Sequence, residues 1–273
     1  MSEFLSDPNF EKFRTLIYDS SGITFSHSNR PILESRLRER LRLAKLDDAG
    51  IYFDKIKSEP DEMKTFLDSI TTNLTRFFRN QAHFDALENH VLPELVKYKR
   101  AHGLEKKIKV WSAGCSTGEE PYTIAMILKD KLPADFSYDV TASDLSLKSL
   151  MTAGQGFYPD ARTQGIPEAY LTRFFNRAGD GYQVKDEVKN RVKFDYHNLK
   201  FDSGLRNTDI VFCRNVLIYF DEAAQKNVID RFWTSMTNHG YLYIGHSESL
   251  FGMDTKFKFL KTEWAVLYSK LLE

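Results

Sequence analysis

Three things are scarce in this 273-residue chain, and each scarcity excludes a class of protein. Cysteine occurs twice, at Cys115 and Cys213, too few for a disulfide framework. Both fall at the ends of predicted strands, where a reduced thiol serves as small apolar filler. A charge surplus is missing: 38 basic residues face 38 acidic ones, so no global field draws the chain to nucleic acid or a membrane surface. Long apolar runs are missing too. Segments such as Ile124-Ala125-Met126-Ile127-Leu128 fall far short of the ~20 residues needed to span a bilayer. Met1 to Pro8 hold no basic segment leading into an apolar one, so they do not read as a signal peptide. No internal repeat or low-complexity segment appears. The expectation is a soluble cytoplasmic protein with length for one large domain or two modest ones.

Residues 1 to about 90 carry helical spacing only. Phe10, Phe13 and Ile17 recur at that spacing, as do Leu33, Leu37 and Leu41, and Phe66 and Ile70. Asp61 and Glu62 after Pro60 mark a helix start. From Lys107 strand and helix signals alternate. Strands are predicted at 107–113, 137–143, 208–213, 240–246 and near 262–269, with helices at 119–131, 146–153 and 222–237. Such alternation argues a mostly parallel sheet with helices on both faces, and ligands bind such sheets beyond the carboxyl ends of the strands. Between about 155 and 198 the alternation breaks. Arg177 to Val184 reads as a hairpin and Val192 to Tyr196 alternates at period two, so the stretch reads as a small β-rich insertion.

The segment richest in chemical information is Ser112-Ala113-Gly114-Cys115-Ser116-Thr117-Gly118-Glu119-Glu120. A strand ending in a glycine turn that opens into a helix brings backbone close to a ligand. Here two carboxylates follow the turn where a phosphate-binding loop would carry Lys or Arg. That suits a cationic, hydroxyl-rich ligand such as S-adenosylmethionine (SAM). Asp144, thirty positions after Gly114, ends the second strand and is placed to accept from ribose hydroxyls. It would equally serve as a cap for the helix near Ser146. The G-x-x-x-G turn and the longer gap to the acid depart from the G-x-G-x-x-G fingerprint of nicotinamide enzymes. Arg214 and Asn215 leave the buried strand 208–213 at the same edge. No Asn/Asp-Pro-Pro-aromatic motif of the nucleic-acid amino-methylating enzymes stands there.

Five segments together resemble one family. Thr71-Thr72-Asn73-Leu74-Thr75-Arg76-Phe77-Phe78-Arg79, the turn Ser116 to Tyr122 with Ala142-Ser143-Asp144, Cys213 to Asp221, and Gly245-His246-Ser247-Glu248 are similar to the CheR chemotaxis receptor glutamate O-methyltransferases, in family order over nearly the whole chain. The resemblance implies an α/β SAM-dependent methyltransferase (Rossmann-like) domain, 91–273. It would carry a small antiparallel β-subdomain at about 155–198 and follow an all-α N-terminal domain, 1–90. It implies that Asn73, Thr75 and Arg79 contact the cofactor from the N-terminal side, and that Glu120, Asp144, Asn198, Leu199, Arg214 and Asn215 line the rest. Arg79 and Tyr219 would lie nearest the transferred methyl, with S-adenosylhomocysteine (SAH) as product and no metal. His246 and Cys213 read as structural, not as nucleophiles.

For partners, Arg30 to Lys45 hold six basic residues against two acidic ones, with Leu33, Leu37 and Leu41 as the buried stripe and Arg38, Arg42 and Lys45 on another face. A solvated face explains that pattern as well as a docking surface does. The resemblance implies docking on the acidic cytoplasmic methylation helices of chemoreceptors. In some family members the β-subdomain also captures a receptor C-terminal peptide by strand addition, and a purely structural insertion with a short Gly179-Asp180-Gly181 turn explains the segment as well. A monomer is expected, without nucleic-acid binding or membrane insertion. Rival readings are a methyltransferase for another protein carboxylate or a small acid, and a SAM- or SAH-sensing adaptor without turnover.

Overall fold

A computed structural model describes residues 4–71 and 74–271. Four helices open the chain: α1 (Asp7–Ser21), α2 (Arg30–Ala44), α3 (Ala49–Ser58) and α4 (Pro60–Ile70). Their ends are written locally. Ser6 accepts from the Asn9 amide at the start of α1, which stops at Gly22 in the left-handed region. Asp48 caps α3, and a proline opens α4. The predicted stripes Phe10, Phe13, Ile17, Leu33, Leu37, Leu41, Phe66 and Ile70 meet Tyr52 in one buried cluster. Of the basic residues of α2, Arg30 is held by Asp7 and Glu34, and Arg40 by Glu62 and Tyr52. Arg38, Arg42 and Lys45 stay exposed.

Next come α5 (Gln81–Ala86), a π turn (Leu87–Val91) and α6 (Leu92–Ala101). The sequence reading put residues up to 90 with the helical half. Instead Phe77, Phe78, Phe84, Leu87 and Val91 pack into the core of the sheet, with Phe84 stacked on Phe212 at 6.2 Å. These apolar spacings fit either core, and only the tertiary contacts assign them.

The remainder runs β1 (Lys107–Ala113), α7 (Glu119–Lys131), β2 (Ser137–Asp144), α8 (Leu147–Gln155), β3 (Phe157–Pro159), α9 (Asp160–Thr163), α10 (Glu168–Phe174), β4 (Phe175–Ala178), β5 (Gly181–Val184), α11 (Asp186–Lys189), β6 (Val192–Tyr196), β7 (Thr208–Cys213), α12 (Glu222–Ser235), β8 (Met236–Ile244), β9 (Lys258–Lys261) and β10 (Val266–Leu271). Seven strands form the main sheet in the order β6-β2-β1-β7-β8-β10-β9. The five from β6 to β8 are parallel, and β10 and β9 are antiparallel. The order reverses between β1 and β7, and a crevice opens at such a reversal.

A second sheet, β3-β5-β4, is antiparallel, its hairpin turning at Gly179-Asp180. Two strand readings change. Val192–Tyr196 does not belong to this insertion: it is β6, the parallel edge strand beside β2. The single strand expected near 262–269 is a β9–β10 pair turning through Thr262 to Ala265. No helix among the described residues is long and apolar enough to cross a membrane.

Candidate functional site

The crevice is a cleft of ≈280 Å³ between the first helices and the carboxyl ends of β1, β2 and β7. Thr75, Arg79, Glu120, Asp144, Asn198, Leu199, Arg214, Asn215 and Tyr219 all line it. Asn73 lies outside the described residues.

Three residues within five positions adopt positive φ in the turn after β1: Gly114 (+81°), Ser116 (+49°) and Gly118 (+94°). Asp144 pins this turn. One carboxylate oxygen accepts the Ser116 amide at 2.7 Å and the other accepts the Ser146 amide at 2.8 Å. The cap of α8 is Ser146, whose hydroxyl accepts from Ser149, so Asp144 braces both segments without being the cap itself. Each of its oxygens keeps a lone pair for a ligand hydroxyl. Burial raises its pKa, opposed by those amides.

The two carboxylates after the turn separate in role. Glu119 is fully buried away from the cleft, held by Arg162 and by the Thr117 hydroxyl at 2.8 Å. Glu120 alone faces the cleft, accepting from Ser112 Oγ at 2.7 Å and pairing with Arg214 at 3.3 Å. Burial raises the pKa of Glu120 and lowers that of Arg214, and each shift is opposed chiefly by the other charge. The Arg214 guanidinium lies 5.3 Å over the Phe84 ring and donates to the Arg79 carbonyl.

Arg79 Nη1 donates to the Leu74 carbonyl at 2.9 Å. The Phe78 amide donates to Thr123 on α7, tying the 74–79 segment to the sheet domain. Asn198 is more committed than expected. Its side chain donates to Ser20 O at 2.7 Å and accepts from the Lys200 amide at 3.0 Å, so it anchors the loop after β6 to α1. Tyr219 sits in a short 3-10 turn whose carbonyl accepts from Thr24 at 2.8 Å. Cys115 and Cys213 are buried and burial pushes both thiols up, which suits filler and not nucleophiles.

Glu248 closes the Gly245-His246-Ser247-Glu248 motif, and the sequence alone gives it no role. Its carboxylate gathers the amides of Gly245 (2.6 Å), Asn215 (2.9 Å) and Ile218 (3.2 Å) and so shapes the loop after β7. Thr123 and Arg162 carry no local signal, since their partners are 45 and 43 positions away, while Ser112 stands in the glycine-turn segment and its bond to Glu120 appears only in the structure.

The chemistry of the lining fits SAM. A carboxylate is available near a cation, acceptors remain on Asp144, and two buried polar atoms at the cleft, Arg214 Nε and His197 Nε2, have no protein partner. The comparisons agree. Residues 73–266 match the family described as "CheR methyltransferase, SAM binding domain", and residues 8–71 match "CheR methyltransferase, all-alpha domain". The Chemotaxis protein methyltransferase of Salmonella typhimurium is 36% identical over 262 residues, 93% of this chain and 88% of that protein. The Chemotaxis protein methyltransferase of Borreliella burgdorferi is 36% identical over 246 residues, 87% and 86% respectively. By fold, by cleft and by these matches across both halves, the chain belongs to the CheR family of SAM-dependent methyltransferases.

Proposed function

We propose that this methyltransferase esterifies glutamate side chains on the cytoplasmic helices of chemoreceptors, for adaptation in bacterial chemotaxis. The observation that carries the reading is the single cleft in which Arg79 and Tyr219 join Glu120, Asp144 and Arg214. When bound, SAM supplies a methyl on a sulfonium, already activated, and leaves as SAH. A receptor glutamate with a pKa of about 4.3 is ionised at neutral pH, so no residue of this chain need act as general base. The chain's task is alignment and exclusion of water. Arg79 keeps donors beyond the one given to Leu74 and orients the incoming carboxylate by charge-assisted hydrogen bonds. Tyr219 bounds the same space from the loop after β7. Glu120 holds the cationic end of the cofactor and Asp144 its ribose, while Thr75, Leu199, Arg214 and Asn215 complete the walls.

In this reading Arg38, Arg42 and Lys45 on α2 dock on the acidic methylation helices. The small antiparallel sheet adds a receptor C-terminal peptide as a strand. The enzyme works in the cytoplasm as a monomer, without nucleic acid or membrane insertion.

The test is methyl transfer from labelled SAM to a purified chemoreceptor cytoplasmic fragment, scored as alkali-labile methanol. The expected result is labile counts that vanish when receptor glutamates become alanine, with Arg79→Ala lowering turnover by about 100-fold. Intact SAM binding with no transfer to any receptor fragment would refute the proposal.

A further inference from the structure

The turn after β1, which lines the cleft through Gly114 and Ser116, is held from two sides. On one side β2 supplies Asp144 to the Ser116 amide and the Ser143 carbonyl to the Gly114 and Cys115 amides, at 2.8 and 2.9 Å. On the other side stands the small antiparallel sheet. Tyr158, in its edge strand β3, donates to the Thr117 carbonyl at 2.7 Å. Arg162, one turn further on in α9, reaches both the Thr117 hydroxyl and the Glu119 carboxylate. The approach is close: a Cβ at Gly118 would stand 2.8 Å from the Tyr158 hydroxyl.

A left-handed conformation is costly for a residue with a Cβ, and Ser116 holds one between two left-handed glycines. Such a conformation persists where its surroundings over-determine it. Here the bracing comes half from the main sheet and half from the insertion. Glu119 has no access to solvent, so the Arg162 guanidinium is its compensating charge as well as a tie.

We infer that the small antiparallel sheet is a structural half of the cofactor turn, and that Arg162 is the positioning residue through which it acts. The inference rests on assigning SAM to this cleft and is independent of the identity of the methyl acceptor. A segment that reads equally as a structural insertion or as a partner surface thereby sets cofactor affinity.

The test is calorimetric binding of SAM and SAH to the full-length protein, with amide hydrogen exchange across residues 115–119. Arg162→Met should weaken both ligands by about tenfold or more, the scale of a lost charge-assisted hydrogen bond. It should also speed exchange in the turn and leave KM for the receptor fragment unmoved. Arg162→Lys should recover part of the affinity. Val184→Ala opens the core of the same sheet without touching the turn, and should keep affinity within about twofold of wild type. If Arg162→Met fails to fold because Glu119 is left unpaired, the Glu119→Gln/Arg162→Met pair removes that charge and should still lose affinity. Affinity within about twofold of wild type in either folded Arg162 variant would overturn the inference. So would an equal loss in Val184→Ala at unchanged exchange in the turn. Because binding is read without receptor, a protein that binds SAH normally and methylates nothing would refute the proposed function alone.

Discussion

At Gly114 an added Cβ would stand 2.4 Å from Val216 Cγ2, on a backbone already at φ +81°. Two penalties therefore act on any substitution, overlap with the loop after β7 and left-handed strain, and they separate by experiment. Gly114→Ala should lose about 2 kcal/mol or more of stability and most SAM affinity. Adding Val216→Ala removes the Cγ2 methyl that overlaps and should return part of the stability, measured by urea unfolding. The strain remains, so full recovery would contradict the geometry. At this scale much could be read ahead. Gly114, Asp144, Arg214 and Asn215 stand where strand ends put them, because the period of the strands and the glycine turn are local signals. Asn198 and Glu119 could not be read so well. Asn198 is spent on a carbonyl 178 positions away, and Glu119 turned out to answer an arginine in the insertion.

Among the elements, the loop between β7 and α12 depends on one carboxylate. Glu248 accepts three backbone amides of that loop and its neighbour, those of Asn215 and Gly245 in part-buried places and that of Ile218 at the surface. Glu248→Ala should cost about 2 kcal/mol in urea unfolding and weaken SAM binding, since Asn215 and Tyr219 ride on the loop. A loss below about 0.5 kcal/mol would count against the clamp. The strands and helices of the parallel sheet were legible because alternation has a period. The edges were not. Val192–Tyr196 alternates as a strand in either sheet would, and its parallel partner β2 decides the matter. The break between β9 and β10 is a Thr262 turn whose hydroxyl accepts two amides, a short-range device easily missed inside an apolar stretch. Helix α12 ends at Ser235 because Met236 begins pairing with Thr208.

Over the whole molecule, buried titratable groups set an acid response of two opposing signs. His83 is buried under Tyr243 with its Nδ1 unpartnered, and burial lowers its pKa from 6.5 to about 3. Above pH 6.5 it is neutral folded or unfolded and contributes nothing. Between 6.5 and about 3 only the unfolded chain takes the proton, so stability falls as pH falls, by up to about 1.4 kcal/mol per unit. Glu120, Asp144 and Asp209 have raised pKa values and act the other way, stabilising the fold as they protonate. The difference between wild type and His83→Phe isolates the histidine. It should shift by about 2 kcal/mol between pH 7 and pH 5 in urea unfolding, and a pH-independent difference would reject the assignment.

The seam between the helices and the sheet is the broadest feature of all. The last carbonyls of α1, on Tyr18, Asp19 and Ser20, accept from Lys200 and Asn198. Ile23 bridges to Phe220, and both line the cleft. The family is described in two parts that meet near residue 72, yet that border runs alongside one binding site whose walls come from both. Evolution therefore has little freedom to shuffle the two parts. A gene that exchanged its first seventy codons for those of a distant relative would bring half a pocket to meet a foreign other half, so the cleft must be inherited as a matched pair.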